Sequence, residues 1–223
     1  MGEVTVLAHH RATRRLRAAG PRTHASHRAE ATVAFYFDPS CPFSYLAAER
    51  IERRFSGVAW IPVPASTIQL EEAWADPRVA RLRRLLAERR AAELKLPLVW
   101  PDRFPTTGAA ALRVAFYAAR TGVGAEFALA AARLAFCGGF DLDDPVNLAE
   151  AAAAAGIGLE ACLAAAENDV YDGPLHTNAR GLLALGITQL PALRAGPRWF
   201  AGEASLAEAS AWWAHAPVAA IPG

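Results

Sequence analysis

The sequence predicts an α/β chain interrupted by an inserted all-helical subdomain. Three observations carry this. A β-α-β pattern opens the ordered part, an α-β-β-α pattern closes it, and residues 66 to 166 between them hold helical signals without a convincing strand. The 223 residues suffice for one large domain, or for a smaller one carrying a sizeable insertion.

Taken in order, Thr32 to Asp38 is short, β-branched and aromatic, and is stopped by Asp38-Pro39, so it reads as a buried strand. Helical spacing follows in Tyr45, Leu46, Ile51 and Phe55 and ends at Gly57. Val58 to Val63 reads as a second strand, parallel to the first because a helix-length crossover joins them. The middle block is expected to contain an arginine-rich helix over Glu71–Glu93, then Thr107–Thr121 with an apolar face of Leu112, Phe116 and Tyr117. Glu126–Phe136, Pro145–Ala155 and Leu159–Asn168 complete it. Asp144-Pro145 is a helix start with proline just inside it, while Gly138-Gly139 and Gly156 mark stops. The closing unit comprises a helix over Pro174–Leu185, strands at Pro191–Arg194 and Arg198–Phe200 around a Gly196-Pro197 turn, and a last helix over Glu203–Trp213. The expected division is one domain from residues 31–65 and 167–216, a helical insertion at 66–166, and a disordered basic tail at 1–30.

Composition narrows the function. Hydrophobic residues make up 53% and charged residues 20%, which supports a substantial core. The formal charge of +1, with arginines scattered among acids, provides no field for nucleic acid or a membrane surface. No apolar run reaches the roughly 18 residues of a membrane span. Cys41, Cys137 and Cys162 are far apart, without a CxxC pair or zinc spacing, which points to a reducing, cytoplasmic setting. His9, His10, His24 and His27 lie in the tail without fixed geometry. Asp141, Asp143 and Asp144 lack calcium-loop spacing and read as caps, so no metal site is expected.

The stretch Asp38-Pro-Ser-Cys-Pro-Phe-Ser-Tyr45 carries the chemistry. A strand ends, the chain turns, and Cys41 arrives where a helix begins, with Pro42 at the first helical position. Unpaired N–H groups and the positive end of the helix dipole favour an anion there, so the Cys41 thiol is expected to have a lowered pKa. Ser44, one turn on, can donate a hydrogen bond to the sulfur. Cys137 and Cys162 read as core residues of the insertion.

Phe35-Tyr-Phe-Asp-Pro-Ser-Cys-Pro-Phe-Ser-Tyr-Leu46 resembles the opening of the DsbA-like thioredoxin superfamily, in its branch of 2-hydroxychromene-2-carboxylate isomerases and kappa-class glutathione transferases. The resemblance continues through Leu96-Pro-Leu-Val-Trp-Pro-Asp-Arg-Phe-Pro105, Ala110 to Phe116, Gly186-Ile-Thr-Gln-Leu-Pro191 and Trp199-Phe-Ala-Gly202, covering about residues 31 to 213. It implies a thioredoxin-like fold and a glutathione-dependent isomerase or transferase. It places Cys41 at the position of the isomerases' catalytic serine and of the first active-site cysteine of DsbA-like oxidoreductases. Ser44 then falls where a dithiol enzyme has its second cysteine. It further implies that Pro191 is the superfamily's cis-proline and that the main chain of Leu190 pairs with ligand. Pro42, Phe43, Trp100, Asp102, Arg103, Asn178 and Arg180 would line the binding site. The implied partners are glutathione and a small aromatic or unsaturated acid, and relatives are commonly homodimers.

Two departures bear on function. Ser44 cannot close an intramolecular disulfide, although a monothiol can still exchange with glutathione. The Thr/Ser-Asp pair with which the family holds the γ-glutamyl end is replaced by Ala179-Arg180. Three readings follow, in this order: the isomerase or transferase, a monothiol glutathione oxidoreductase, and a ligand-binding module without turnover.

Overall fold

The computed structural model describes residues 33–68, 76–106 and 108–215. The expected tail at 1–30, the start of the helix expected from Glu71, and Thr107 lie outside the described residues.

Strand β1 (Val33–Phe37) leads through helix α1 (Pro42–Ile51) to β2 (Val58–Pro62). The helical block holds α2 (Ala65–Ile68), α3 (Pro77–Leu94), α4 (Ala109–Thr121), α5 (Gly124–Phe136), α6 (Pro145–Ala154) and α7 (Leu159–Glu167). Then follow α8 (Asp172–Ala184), β3 (Ala192–Ala195), β4 (Arg198–Ala201) and α9 (Leu206–His215). The sheet order is β2-β1-β3-β4, with β1 parallel to β2 and antiparallel to β3, and β3 antiparallel to β4.

Local chemistry sets the helix starts. Asp76 and Asp144 each cap a helix whose first residue is proline, accepting hydrogen bonds from N–H groups of the opening turn. Helices α4 and α5 bury small residues, among them Ala111, Ala115, Ala118, Ala128, Ala131 and Ala135, and this lets their backbones approach closely.

The two faces of β1 face different surroundings, as the two-residue period of a strand requires. Val33, Phe35 and Phe37 enter the large core shared with α1, α4 and α5, where Phe35 and Phe37 stack and both meet Trp60 edge-on. Ala34 enters a smaller cluster on the other side that contains Cys41, Ile61, Ile68, Ala179, Leu182 and Leu190. The large core runs without a break from β1 and α1 into the helical block.

Candidate functional site

Cys41 sits at the end of a turn closed by its own N–H, which donates to the Asp38 carbonyl at 3.0 Å. Its backbone is extended (φ −99°, ψ 120°), and its carbonyl accepts the first helical hydrogen bond, from Tyr45 N–H at 3.0 Å. The residue is therefore the N-cap of α1, with Pro42 next.

The thiol is buried, at 4% exposure. Burial pushes its pKa up, and the Asp38 charge adds to that. The N–H groups of Ser44 and Phe43 and the Ser44 hydroxyl pull the other way. The expected lowering is thus reversed. A helix terminus offers a modest electrostatic gain, and removal from water outweighs it for a thiolate.

Asp38 is the group that sequence reasoning missed as part of the site. It is 4% exposed, and one carboxylate oxygen accepts from Ser40 N–H at 2.8 Å while the other accepts from Ala65 N–H at 2.7 Å. Burial raises its pKa to about 6 even against those two hydrogen bonds. Its main-chain N–H donates to Ser44 Oγ at 3.3 Å, which leaves the Ser44 hydroxyl hydrogen free to point at the sulfur. Asp38 therefore ties the end of β1 to the starts of both α1 and α2. The sequence signal was present: an aspartate ending a buried strand three residues before the cysteine.

The loop before β3 joins the same cluster through Leu190. The Leu190–Pro191 peptide bond is cis, and the Pro191 carbonyl accepts from Gly202 N–H at 2.8 Å. Leu190 is 2% exposed and belongs to the Cys41 cluster. Neither its main-chain N–H nor its carbonyl has a hydrogen-bond partner among the described residues. Gly108, at φ +58°, lies so close to the Ser40 side chain that a Cβ there would collide with Ser40 Oγ. That hydroxyl is buried and without a partner among the described residues.

The structure sorts the residues implied by the resemblance. Cys41, Ser44 and Leu190 come together, with Pro42 buried beside the thiol and Phe43 against the same cluster. Asn178 donates to the Pro62 carbonyl at 3.3 Å from one side of α8. Arg180 is exposed and, among the described residues, reaches only Thr177 Oγ1 at 3.3 Å, while Ala179 is fully buried within the Cys41 cluster. His176 faces Thr67 Oγ1 at 3.2 Å. Trp100 is engaged elsewhere: its indole N–H donates to Glu88 at 2.7 Å and its ring packs on Phe104 and Phe136 beneath the Arg84 guanidinium. Asp102 and Arg103 are exposed, and Arg103 pairs with Asp141 at 2.8 Å.

All three cysteines are free. Cys137 lies 3.2 Å from the Tyr45 hydroxyl on the large-core side, and the Cys162 thiol faces the Leu148 carbonyl. Among the described residues no group of three acidic, His or Cys side chains could hold a metal ion, and no helix is long and apolar enough to cross a membrane.

A buried cysteine at a helix start, sharing a cluster with the Leu190 that precedes a cis-proline beside a mixed four-stranded sheet, coincides with a family match: the model of the DSBA-like thioredoxin domain covers residues 32–210. The chain belongs to this family. Among solved structures it is similar to a 2-hydroxychromene-2-carboxylate isomerase, at 16% identity and TM-score 0.63, over 80% of this chain and 92% of that one. It is also similar to a probable DsbA oxidoreductase from Streptomyces coelicolor, at 18% identity and TM-score 0.66, over 81% and 87% of the two chains. At such identities the likeness concerns the fold. A search of curated proteins finds no match.

Proposed function

We propose that this DsbA-like protein is a glutathione-dependent isomerase or transferase in which Cys41 acts as a neutral hydrogen-bond donor. The observation that carries this reading is the burial of the thiol, which raises its pKa and keeps its proton in place at neutral pH. A nucleophilic exchange cysteine needs a thiolate fraction. A retained S–H suits the task that a serine hydroxyl performs at this position in the isomerases: donating to an anion held at the helix start.

Bound glutathione would supply a thiolate able to add reversibly to an unsaturated carbon of the substrate. The residues present fit the main-chain half of such a site, since Leu190 presents an unpaired N–H and carbonyl beside the cis-proline. They do not reproduce the usual γ-glutamyl pair, because Ala179 is core and Arg180 stands on the surface. The Phe43 and Ser44 N–H groups and the Ser44 hydroxyl, which already favour a negative charge at the Cys41 sulfur, would stabilise an anion placed against it. Arg180, exposed beside the buried Ala179, would supply a cation to the carboxylate of a small aromatic or unsaturated acid.

Presence of a cysteine rather than a hydroxyl favours a second reading, monothiol exchange with glutathione. Native mass spectrometry of wild type, Cys41→Ser and Cys41→Ala with reduced glutathione, then under denaturing conditions after oxidised glutathione, separates the two. The proposed reading expects a non-covalent adduct in wild type and Cys41→Ser, weakened in Cys41→Ala. A covalent adduct confined to Cys41, without non-covalent binding, would put monothiol exchange in its place. No adduct of either kind would leave the fold serving a different ligand.

A further inference from the structure

Roughly 14 Å along α1 from Cys41, at the other end of the helix, Arg50, Arg53, Arg54 and Ser210 line a depression of about 490 Å³. Arg50 forms its fixed part, with its side chain 13% exposed. Its Nε donates to the Leu46 carbonyl at 2.9 Å and its Nη2 donates to Glu203, while Nη1 has no acceptor among the described residues.

Glu203 is 5% exposed and is shared. It also accepts from Arg90 Nε at 2.6 Å and Arg90 Nη2 at 3.3 Å. The neighbouring Glu93 is occupied by Arg89 and Arg90. One buried carboxylate therefore answers two guanidinium groups, and neither Arg53 nor Arg54 has a carboxylate partner among the described residues. The excess of positive charge is felt at Arg50. Burial pulls its pKa down, Glu203 opposes that, and the like charges of Arg90 and Arg54 add to the pull.

We propose that this depression is a binding site for a small phosphate-bearing anion, separate from the thiol site. Guanidinium forks match the paired oxygens of phosphate, and Arg53 and Arg54, without a carboxylate partner among the described residues, call for a ligand with about two negative charges. Ser210 adds a hydroxyl donor from α9. The cluster is open and local, where binding to a nucleic-acid backbone would call for a basic stripe.

The test is titration calorimetry of the full chain with inorganic pyrophosphate at low ionic strength, beside co-sedimentation with phosphatidylcholine vesicles containing phosphatidic acid. Saturable single-site binding of pyrophosphate is expected, weakened at least about tenfold in the double variant R53A/R54A and unchanged in Cys41→Ala. Arg53 and Arg54 are exposed, so the double variant should melt like wild type, and a Ser210→Ala variant should lose a few-fold. Absence of saturable binding, or equal affinity in R53A/R54A, would overturn the proposal. Binding to vesicles without binding to pyrophosphate would also overturn it, since the recognised phosphate would then belong to a lipid surface. None of these outcomes depends on whether glutathione binds at Cys41.

Discussion

The two faces of β1 carry different kinds of interior. On one side Val33, Phe35 and Phe37 join a large core of aromatics and alanines. On the other, a smaller cluster surrounds Cys41, and the polar groups Asp38, Ser44 and the Leu190 main chain gather at its rim. The first face contributes stability through dense apolar packing. The second holds a thiol and a carboxyl that burial keeps away from their ordinary ionisation. The comparison teaches that one five-residue strand can separate folding from chemistry, because consecutive side chains point to opposite sides.

The sharpest break in the comparison comes from Phe35→Ala. Phe35 is 1% exposed and touches both Phe37 and Trp60, so truncation should destabilise by about 3–5 kcal/mol in urea unfolding. The titration of Cys41 in the folded variant should stay as it is in wild type. A shifted Cys41 titration would show that the two faces are coupled.

Asp38→Asn addresses the other face. The Asp38 carboxyl has a folded pKa of about 6 against an ordinary value of 3.8, so the folded chain holds this proton more tightly than the unfolded one. Its contribution is fully present below the ordinary value and is lost as pH rises through about 6, a loss of about 3 kcal/mol. Unfolding free energies measured from about pH 4 to pH 8 should show this slope in wild type and not in Asp38→Asn. A slope of equal size in both would contradict the assignment.

The smallest effect belongs to Ser44→Ala. Removing a hydroxyl that favours the thiolate should slow alkylation of Cys41 at mildly alkaline pH, by roughly three- to tenfold. Faster alkylation would mean that Ser44 shields the sulfur instead.

Much of this was legible in the sequence. Strand-forming runs and proline or glycine punctuation located both β units, and most helix ends fall within a few residues of expectation, as at Asp144-Pro145, whereas the helix expected from Glu71 is capped by Asp76 and begins at Pro77. The short α2 was not distinguished, since four residues are too few for periodicity. At the site, the place of Cys41 at a helix start was readable from the strand and turn before it, and the cis bond at Pro191 from the resemblance carried by Gly186 to Pro191. The sign of the Cys41 pKa shift was not, because a helix start is written locally whereas burial depends on Ile68, Ala179 and Leu190 brought from elsewhere. The contacts of Trp100 were not legible for the same reason: its partners Glu88 and Phe136 belong to other helices. The Arg50–Glu203 pair, 153 residues apart, carries no local signal at all.

The most direct test of the account is the pH titration of thiolate absorbance in wild type minus Cys41→Ala. The account predicts a midpoint above the ordinary cysteine value of about 8.5, with Cys41 protonated at neutral pH. A midpoint below about pH 7 would show a resident thiolate and contradict the role of Cys41 as a neutral donor.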